Sequence, residues 1–174
     1  MKLPPWHEEP IGKSHDRQGF DCGDESLNDF LRRHARQSHE RGGAKTFLAI
    51  DDAGHTVLGF YSLAPTSLQY ADAPQVVSRG LAKHEVPGFR LARLATDLRF
   101  QGHGLGGQLI AAAARRCVRA AAEVGGVMLV IDAKNDRAAQ WYTGYGATAL
   151  RDRPLALVLP LASLERELRA TGHL

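Results

Sequence analysis

Residues 99–109 read RFQGHGLGGQL, with four glycines between positions 102 and 107. Fixing glycine costs more backbone freedom than fixing any other residue, so such density needs a cause. Glycine admits positive φ and lets another molecule approach the main chain closely. The run that follows, QLIAAAARRCVRAAAEV, is made almost wholly of strong helix formers. A glycine loop that opens into a helix leaves first-turn N–H groups without acceptors, which makes a ready anion site. The expected guest is a phosphate, with the helix over residues 104–123.

Two common phosphate patterns do not fit. A Walker A loop needs Gly-x-x-x-x-Gly-Lys-Ser/Thr, and no such lysine follows these glycines. The dinucleotide fingerprint wants Gly-x-Gly-x-x-Gly in the first strand–helix turn of the fold. Here the glycines are spaced differently and lie past the middle of the chain.

The rest of the chain sets bounds. With 174 residues, 44% hydrophobic and 24% charged, it has the composition of one ordinary globular domain over residues 1–174. No apolar run approaches the ~20 residues of a membrane span, so no membrane role is expected. MKLPPWHEEP lacks the apolar core of a secretory signal. Cys22 and Cys117 stand far apart without metal-ligand spacing, which suits free thiols in a cytoplasmic protein and no metal. A formal net charge of +3 permits a polyanionic partner without demanding one.

Patterning suggests an α/β fold. DESLNDFLRRHARQSHE puts Leu27, Phe30, Leu31, Ala35 and Ser38 on one helical face, with Asp24 as N-cap and Gly42-Gly43 as stop. TFLAI, DDAG and HTVLGFYSL read as a hairpin whose turn Gly54 supplies. Residues 71–89 read as an irregular connection with at most one short helix. FRLARLATD is a strand feeding the glycine loop. After the loop's helix come VMLVIDA as a buried strand and a short helix capped by Asn135 or Asp136 and ended near Gly144. LALVLPL is a last strand, and an extra C-terminal helix lies within 162–174. Strand–helix–strand order in the second half implies parallel pairing. The N-terminal half reads antiparallel, so the central sheet is mixed and flanked by helices.

Gln101, Gly102, His103, Gly104, Leu105 and Gly106 together give Gln-x-x-Gly-x-Gly. In that loop, in RLATD before it, and in VIDAKNDRAAQWYTGYGA after it, the chain resembles the GNAT superfamily of acyl-CoA N-acyltransferases. The likeness runs from Leu91 to Gly146, with Ala147 standing where an aromatic is usual. The resemblance implies acetyl-CoA as co-substrate and a GNAT fold. It implies that Gln101–Gly106 bind the pyrophosphate through main-chain N–H groups. Leu94, Ala95 and Thr96 would meet the pantetheine arm, and Asn135 and Tyr145 would line the same site. Tyr142 would be the general acid, because a phenol of pKa near ~10 holds its proton at neutral pH. Trp141 beside it reads as the better core aromatic. His103 reads more plainly as a solvated loop histidine than as a phosphate ligand.

HDRQGFDCGDESLNDFLRRHARQ, GFYSLAPTSL and RLATDLRFQGHGLGGQL narrow the likeness. They resemble the GNAT toxins of type II toxin–antitoxin modules, which acetylate the α-amino group of aminoacyl-tRNA and stop translation. Phe20–Gly23 is the most specific piece. The resemblance implies a ribbon–helix–helix antitoxin, operator DNA bound only through that complex, and a homodimer. A tRNA acceptor calls for cations at its entrance, and Arg93, Arg36, Arg33, Lys45, Arg90 and Arg99 are the candidates. RLARLAT carries no carboxylate base. An α-amino group titrates near ~7.7–8.0, well below a lysine, and needs little help to be neutral. An acetyltransferase of small amines or peptides, and a non-catalytic CoA-binding module, are the rival readings.

Overall fold

In the computed structural model, which describes residues 2–174, seven strands form one mixed sheet in the order β1-β2-β3-β4-β5-β7-β6. They are β1 (Trp6–Pro10), β2 (Lys45–Asp51), β3 (Val57–Leu68), β4 (Val86–Thr96), β5 (Met128–Asp132), β6 (Thr148–Leu150) and β7 (Arg153–Pro160). The pairs β1–β2 and β2–β3 are antiparallel, as the hairpin pattern demands. β4 and β5 run parallel, matching Phe89–Leu91 with Leu129–Ile131 across the crossover helix α4 (Leu105–Val124). The last strands return to antiparallel pairing, β5 with β7 and β7 with β6. The polar lead-in is itself an edge strand, which alternation alone does not reveal because its side chains are charged.

The chain divides into two compact units. One holds the residues up to Ala64 together with Ala92–Ala111; the other holds Pro65–Leu91 and Ala112–Leu174.

In the first unit, α1 (Glu25–Asp29) and α2 (Ala35–Glu40) are joined by a π turn at Phe30–His34. Asp24 caps this helix as expected, its carboxylate accepting from the N–H of Ser26 and Leu27. The predicted apolar face is present: Phe30, Leu31 and Ala35 are buried and pack with Phe20, Leu48, Ile50 and Phe60. The hairpin turn contains Gly54 as expected, and the positive φ in it falls on the next residue, His55 (φ 55). Gly59 on β3 has a steric purpose: a Cβ there would stand 2.8 Å from the Ala95 carbonyl oxygen and 3.1 Å from Leu109. Its bare backbone is the seat on which Leu105 and Leu109, in the first turns of α4, come to rest.

In the second unit, α3 (Gln75–Ser78) is the one short helix of the irregular connection. The core gathers Leu68, Val77, Val86, Met128, Val130, Leu150, Ala156 and Val158. α5 (Asp136–Thr143) starts at Asn135 and ends at Gly144. α6 (Leu161–Ala170) is the predicted C-terminal helix, burying Leu161, Leu164 and Leu168. Cys117 on α4 is buried, and burial pushes its thiol up to about 12.

Candidate active site

The glycine loop takes the shape that its composition demands. Gly102 (φ 80) and Gly104 (φ 86) sit in the left-handed region, and nothing lies within 4 Å of where their Cβ atoms would be. Neighbours do not impose these glycines; the backbone conformation does, and it leaves the outer side of the loop open. Gln108 N–H is bound to the Gly104 carbonyl at 3.2 Å, which closes the first turn of α4. The N–H groups of Leu105, Gly106 and Gly107 precede it and have no carbonyl within the helix. His103 is exposed at the loop's tip, beside a groove of about 920 Å³ that Lys2, Trp6 and Gln108 also line. Trp6 Nε1 donates to Gln108 Oε1 at 2.8 Å across that groove.

The side chain of Gln101 has a structural task. Its Nε2 donates to the carbonyls of Thr96 (3.0 Å) and Cys22 (3.1 Å), tying the loop to the end of β4 and to the Phe20–Gly23 segment. That segment is a knot of polar contacts. Asn28, buried, accepts from Cys22 N–H at 2.9 Å and donates to Asp21 Oδ1 at 2.9 Å. Asp21 accepts from Leu98 N–H through its carbonyl and donates its own N–H to Asp97 Oδ2 at 3.2 Å. The most specific motif outside the glycine loop is therefore a brace. It fixes where β4 ends and where the loop begins.

Asp97 is the carboxylate nearest to the strand, and it is locked. Arg99 donates Nε to Oδ1 (2.9 Å) and Nη2 to Oδ2 (3.1 Å), and its N–H adds a third bond (3.0 Å). Burial pushes the Asp97 pKa upward, but the Arg99 donors and the Asp21 N–H outweigh it and hold the group below the ordinary carboxylate value. A base needs a free lone pair and an elevated pKa, and Asp97 has neither. Along the strand, Ala95 is buried while Leu94 and Thr96 are half-buried.

In the second unit lies Tyr142, the expected proton donor. It is only 7% exposed, and burial raises its pKa to about 12. Its ring meets Trp141 edge-on at 5.0 Å, and Trp141 meets Tyr145 at 5.1 Å. The structure reverses the expected roles: Trp141, at 39% exposure, is the surface aromatic, and Tyr142 is the buried one. Helix phase explains this, since the positions are adjacent and only one can face inward. Tyr145 is exposed at 43%. Asn135 Oδ1 accepts from Ala138 N–H at 2.9 Å, capping α5.

The basic candidates separate clearly. Arg33 pairs with Asp29, Arg36 with Glu40 and Arg90 with Asp132, each at 3.0 Å, and Arg99 is held by Asp97. Lys45 donates to the His39 carbonyl at 2.8 Å. Arg93 differs: its guanidinium lies 3.8 Å over the Phe30 ring, with no carboxylate partner among the described residues. Burial lowers its pKa from the usual arginine value. Such a cation keeps its charge undiluted on a half-dry surface. No group of three or more His, Cys, Asp or Glu among the described residues could hold a metal ion.

Residues 15–147 match the acetyltransferase (GNAT) family. A tRNA-acetylating toxin of Mycobacterium tuberculosis (strain ATCC 25618 / H37Rv) is 38% identical over 149 residues, covering 86% of this chain and 88% of the relative. Among solved structures, AtaT complexed with acetyl-methionyl-tRNAfMet superposes with TM-score 0.87 at 28% identity, covering 94% and 99% of the two chains. A mutant of the AtaT toxin bound to the C-terminus of the antitoxin AtaR and acetyl-CoA gives TM-score 0.80 at 28% identity, covering 94% and 98%.

Proposed function

The chain belongs to the GNAT acetyltransferase family, and on that premise we propose that it is a toxin that acetylates the α-amino group of aminoacyl-tRNA. One observation carries the choice of acceptor. The strand RLARLAT offers no carboxylate, and the next one, Asp97, is bound to Arg99 and Asp21. A lysine or alkylamine acceptor needs a base to lose its proton near neutral pH; an α-amino group of pKa ~7.7–8.0 does not.

Acetyl-CoA, when bound, supplies the acetyl thioester. The N–H groups at the start of α4 and the open loop at Gly102 and Gly104 fit a pyrophosphate, with Gln101, His103, Leu105 and Gly106 completing that loop. Main-chain groups of Leu94, Ala95 and Thr96 orient the donor, and Asn135 and Tyr145 line it. Tyr142 holds its proton throughout the physiological range and gives it to the departing thiolate. Arg93 is the first choice among cations for the acceptor; Arg33, Arg36, Lys45, Arg90 and Arg99 play lesser roles, since their charge is already shared.

The same reading assigns a cytoplasmic enzyme acting as a single domain over residues 1–174 and as a homodimer. A ribbon–helix–helix antitoxin restrains it, and the pair contacts operator DNA. The test is transfer of labelled acetyl from acetyl-CoA to mixed aminoacyl-tRNA. Label that is lost on deacylation and sharply reduced by Tyr142→Phe supports the reading; label only in free amines or peptides overturns it.

A further inference from the structure

Helix α5 carries a line of side chains that neither the core nor the proposed proton transfer uses. Residues four apart share a helix face, so Arg137 and Trp141 lie along one edge of α5, with Tyr145 continuing the line in the turn that ends it. All three are exposed. Arg137 has no ion-pair partner among the described residues. The one acid of α5, Asp136, stands beside it in the first turn.

Trp141 is the unusual member. Tryptophan is strongly buried on average, yet 39% of this one stays exposed. Tyr142 and Tyr145 meet it at 5.0 and 5.1 Å, with ring planes 68° and 71° apart. Such edge contacts hold the indole in place, and neither phenol lies flat against it. A fixed aromatic without a parallel partner is a platform for another flat ring.

The position of that platform narrows what it takes. Trp141 touches the ring of Tyr142, the proposed donor of the proton, so a ring resting on it lies close to the reacting atoms. In an aminoacyl ester of RNA, only a few bonds separate the reacting amine from the base of the 3′-terminal nucleotide. Every base has a π face that an indole accepts, whereas a peptide offers one only at its aromatic residues. Arg137 lies one turn away, about 6 Å along the helix axis, which suits a phosphate of the same strand. A platform beside an unpaired cation is the material of single-strand binding.

We propose that Trp141 stacks the terminal nucleobase at the unpaired 3′ end of the acceptor, and that Arg137 holds the phosphodiester next to it. The proposal rests on the aminoacyl-tRNA reading above and adds two residues that the acetyl transfer does not use. Together they favour an amine carried on RNA over a free one.

The test uses the full chain and uncharged acceptor-stem RNA hairpins with a single-stranded 3′ tail, titrated by fluorescence anisotropy. One hairpin keeps its last base, a second ends in an abasic nucleotide, and a third is blunt. The wild type is expected to bind the complete tail about tenfold more tightly than the abasic one. Trp141→Leu loses that preference, and Trp141→Phe recovers most of it. Arg137→Met weakens the tailed hairpin a few fold and reduces its salt slope by about one. The only other tryptophan is Trp6, so in Trp6→Phe the emission of Trp141 is read alone. The complete tail should quench that emission, and the blunt hairpin should not. Equal wild-type affinity for complete and abasic tails would overturn the stack. So would a loss in Trp141→Leu that is the same for both tails, which is the mark of a merely structural role. Variants impaired only in binding a protein antitoxin, with hairpin affinity intact, would overturn it as well. If the wild type acetylates no aminoacyl-tRNA, the proposed reaction fails, and the hairpin titration still decides the stack.

Discussion

The two halves of the chemistry are written in different materials. In the proposed reaction the working atoms around the glycine loop are main-chain N–H groups, and side chains such as Gln101 and Asp97 serve as braces. On α5 the proposed working atom is one phenolic oxygen, and its environment is set by burial. A backbone site tolerates many side chains but few conformations. A side-chain site tolerates backbone change but almost no substitution. Each prediction below strains one kind of site and watches the other.

The largest effect belongs to Tyr142. Tyr142→Phe removes only an oxygen, so kcat should fall by roughly 10²–10⁴ while calorimetric binding of acetyl-CoA is unchanged. A Phe variant with wild-type kcat would move the acid elsewhere, first to Tyr145. The pH–rate profile sharpens the same point. Activity should rise through ~7.7–8.0 as the acceptor amine loses its proton. It should then stay level and fall only as Tyr142 ionises toward about 12. With deacylation of the substrate subtracted, a decline near pH 9 that is absent from Tyr142→Phe would contradict a phenol held that high.

Next comes the loop. Gly104→Ala puts a Cβ at φ 86 in open space, so strain alone acts. The penalty of about 1–2 kcal/mol should weaken acetyl-CoA about tenfold, with Tyr142 still titrating near 12. Equal affinity in the variant would mean that the loop binds in another conformation. Asp97→Asn tests whether this carboxylate is brace or base. Stability should drop by roughly 1–3 kcal/mol in denaturant melts, and kcat at saturation should change by less than a few fold. A thousandfold loss of kcat would make Asp97 the missing base. The smallest effect is Asn135→Ala, where loss of the cap should cost about 1 kcal/mol of stability and raise the KM for acetyl-CoA only a few fold.

What the sequence disclosed follows the same division. Glycine spacing, helix formers and the Asp24 and Asn135 caps are local rules, and the loop, α4, α5 and the start of α1 were all legible. Which of Trp141 and Tyr142 faces inward depends on the phase of α5 against its sheet, and no local rule contains that. β1 went unread because its residues, WHEEP, do not alternate; cross-strand pairing with β2 makes it a strand. That His55 carries the positive φ beside the Gly54 turn was not legible either, since propensity gives that conformation to glycine first. The isolation of Arg93 from any carboxylate among the described residues could not be seen either, since a sequence shows cations but not which of them lack partners.

The π turn at Phe30–His34 decouples the two ends of its helix. A helix accommodates one supernumerary residue by widening a single turn, and such turns recur where function occurs. Deleting one residue there should restore an uninterrupted α-helix while everything after it keeps its phase, because the wide turn is what absorbs the extra residue. Arg36 and the capped start at Asp24 would both stay in place, and Arg32 and Arg33, inside the wide turn, would be re-aimed. An insertion of this size redirects two cations without disturbing the helix on either side.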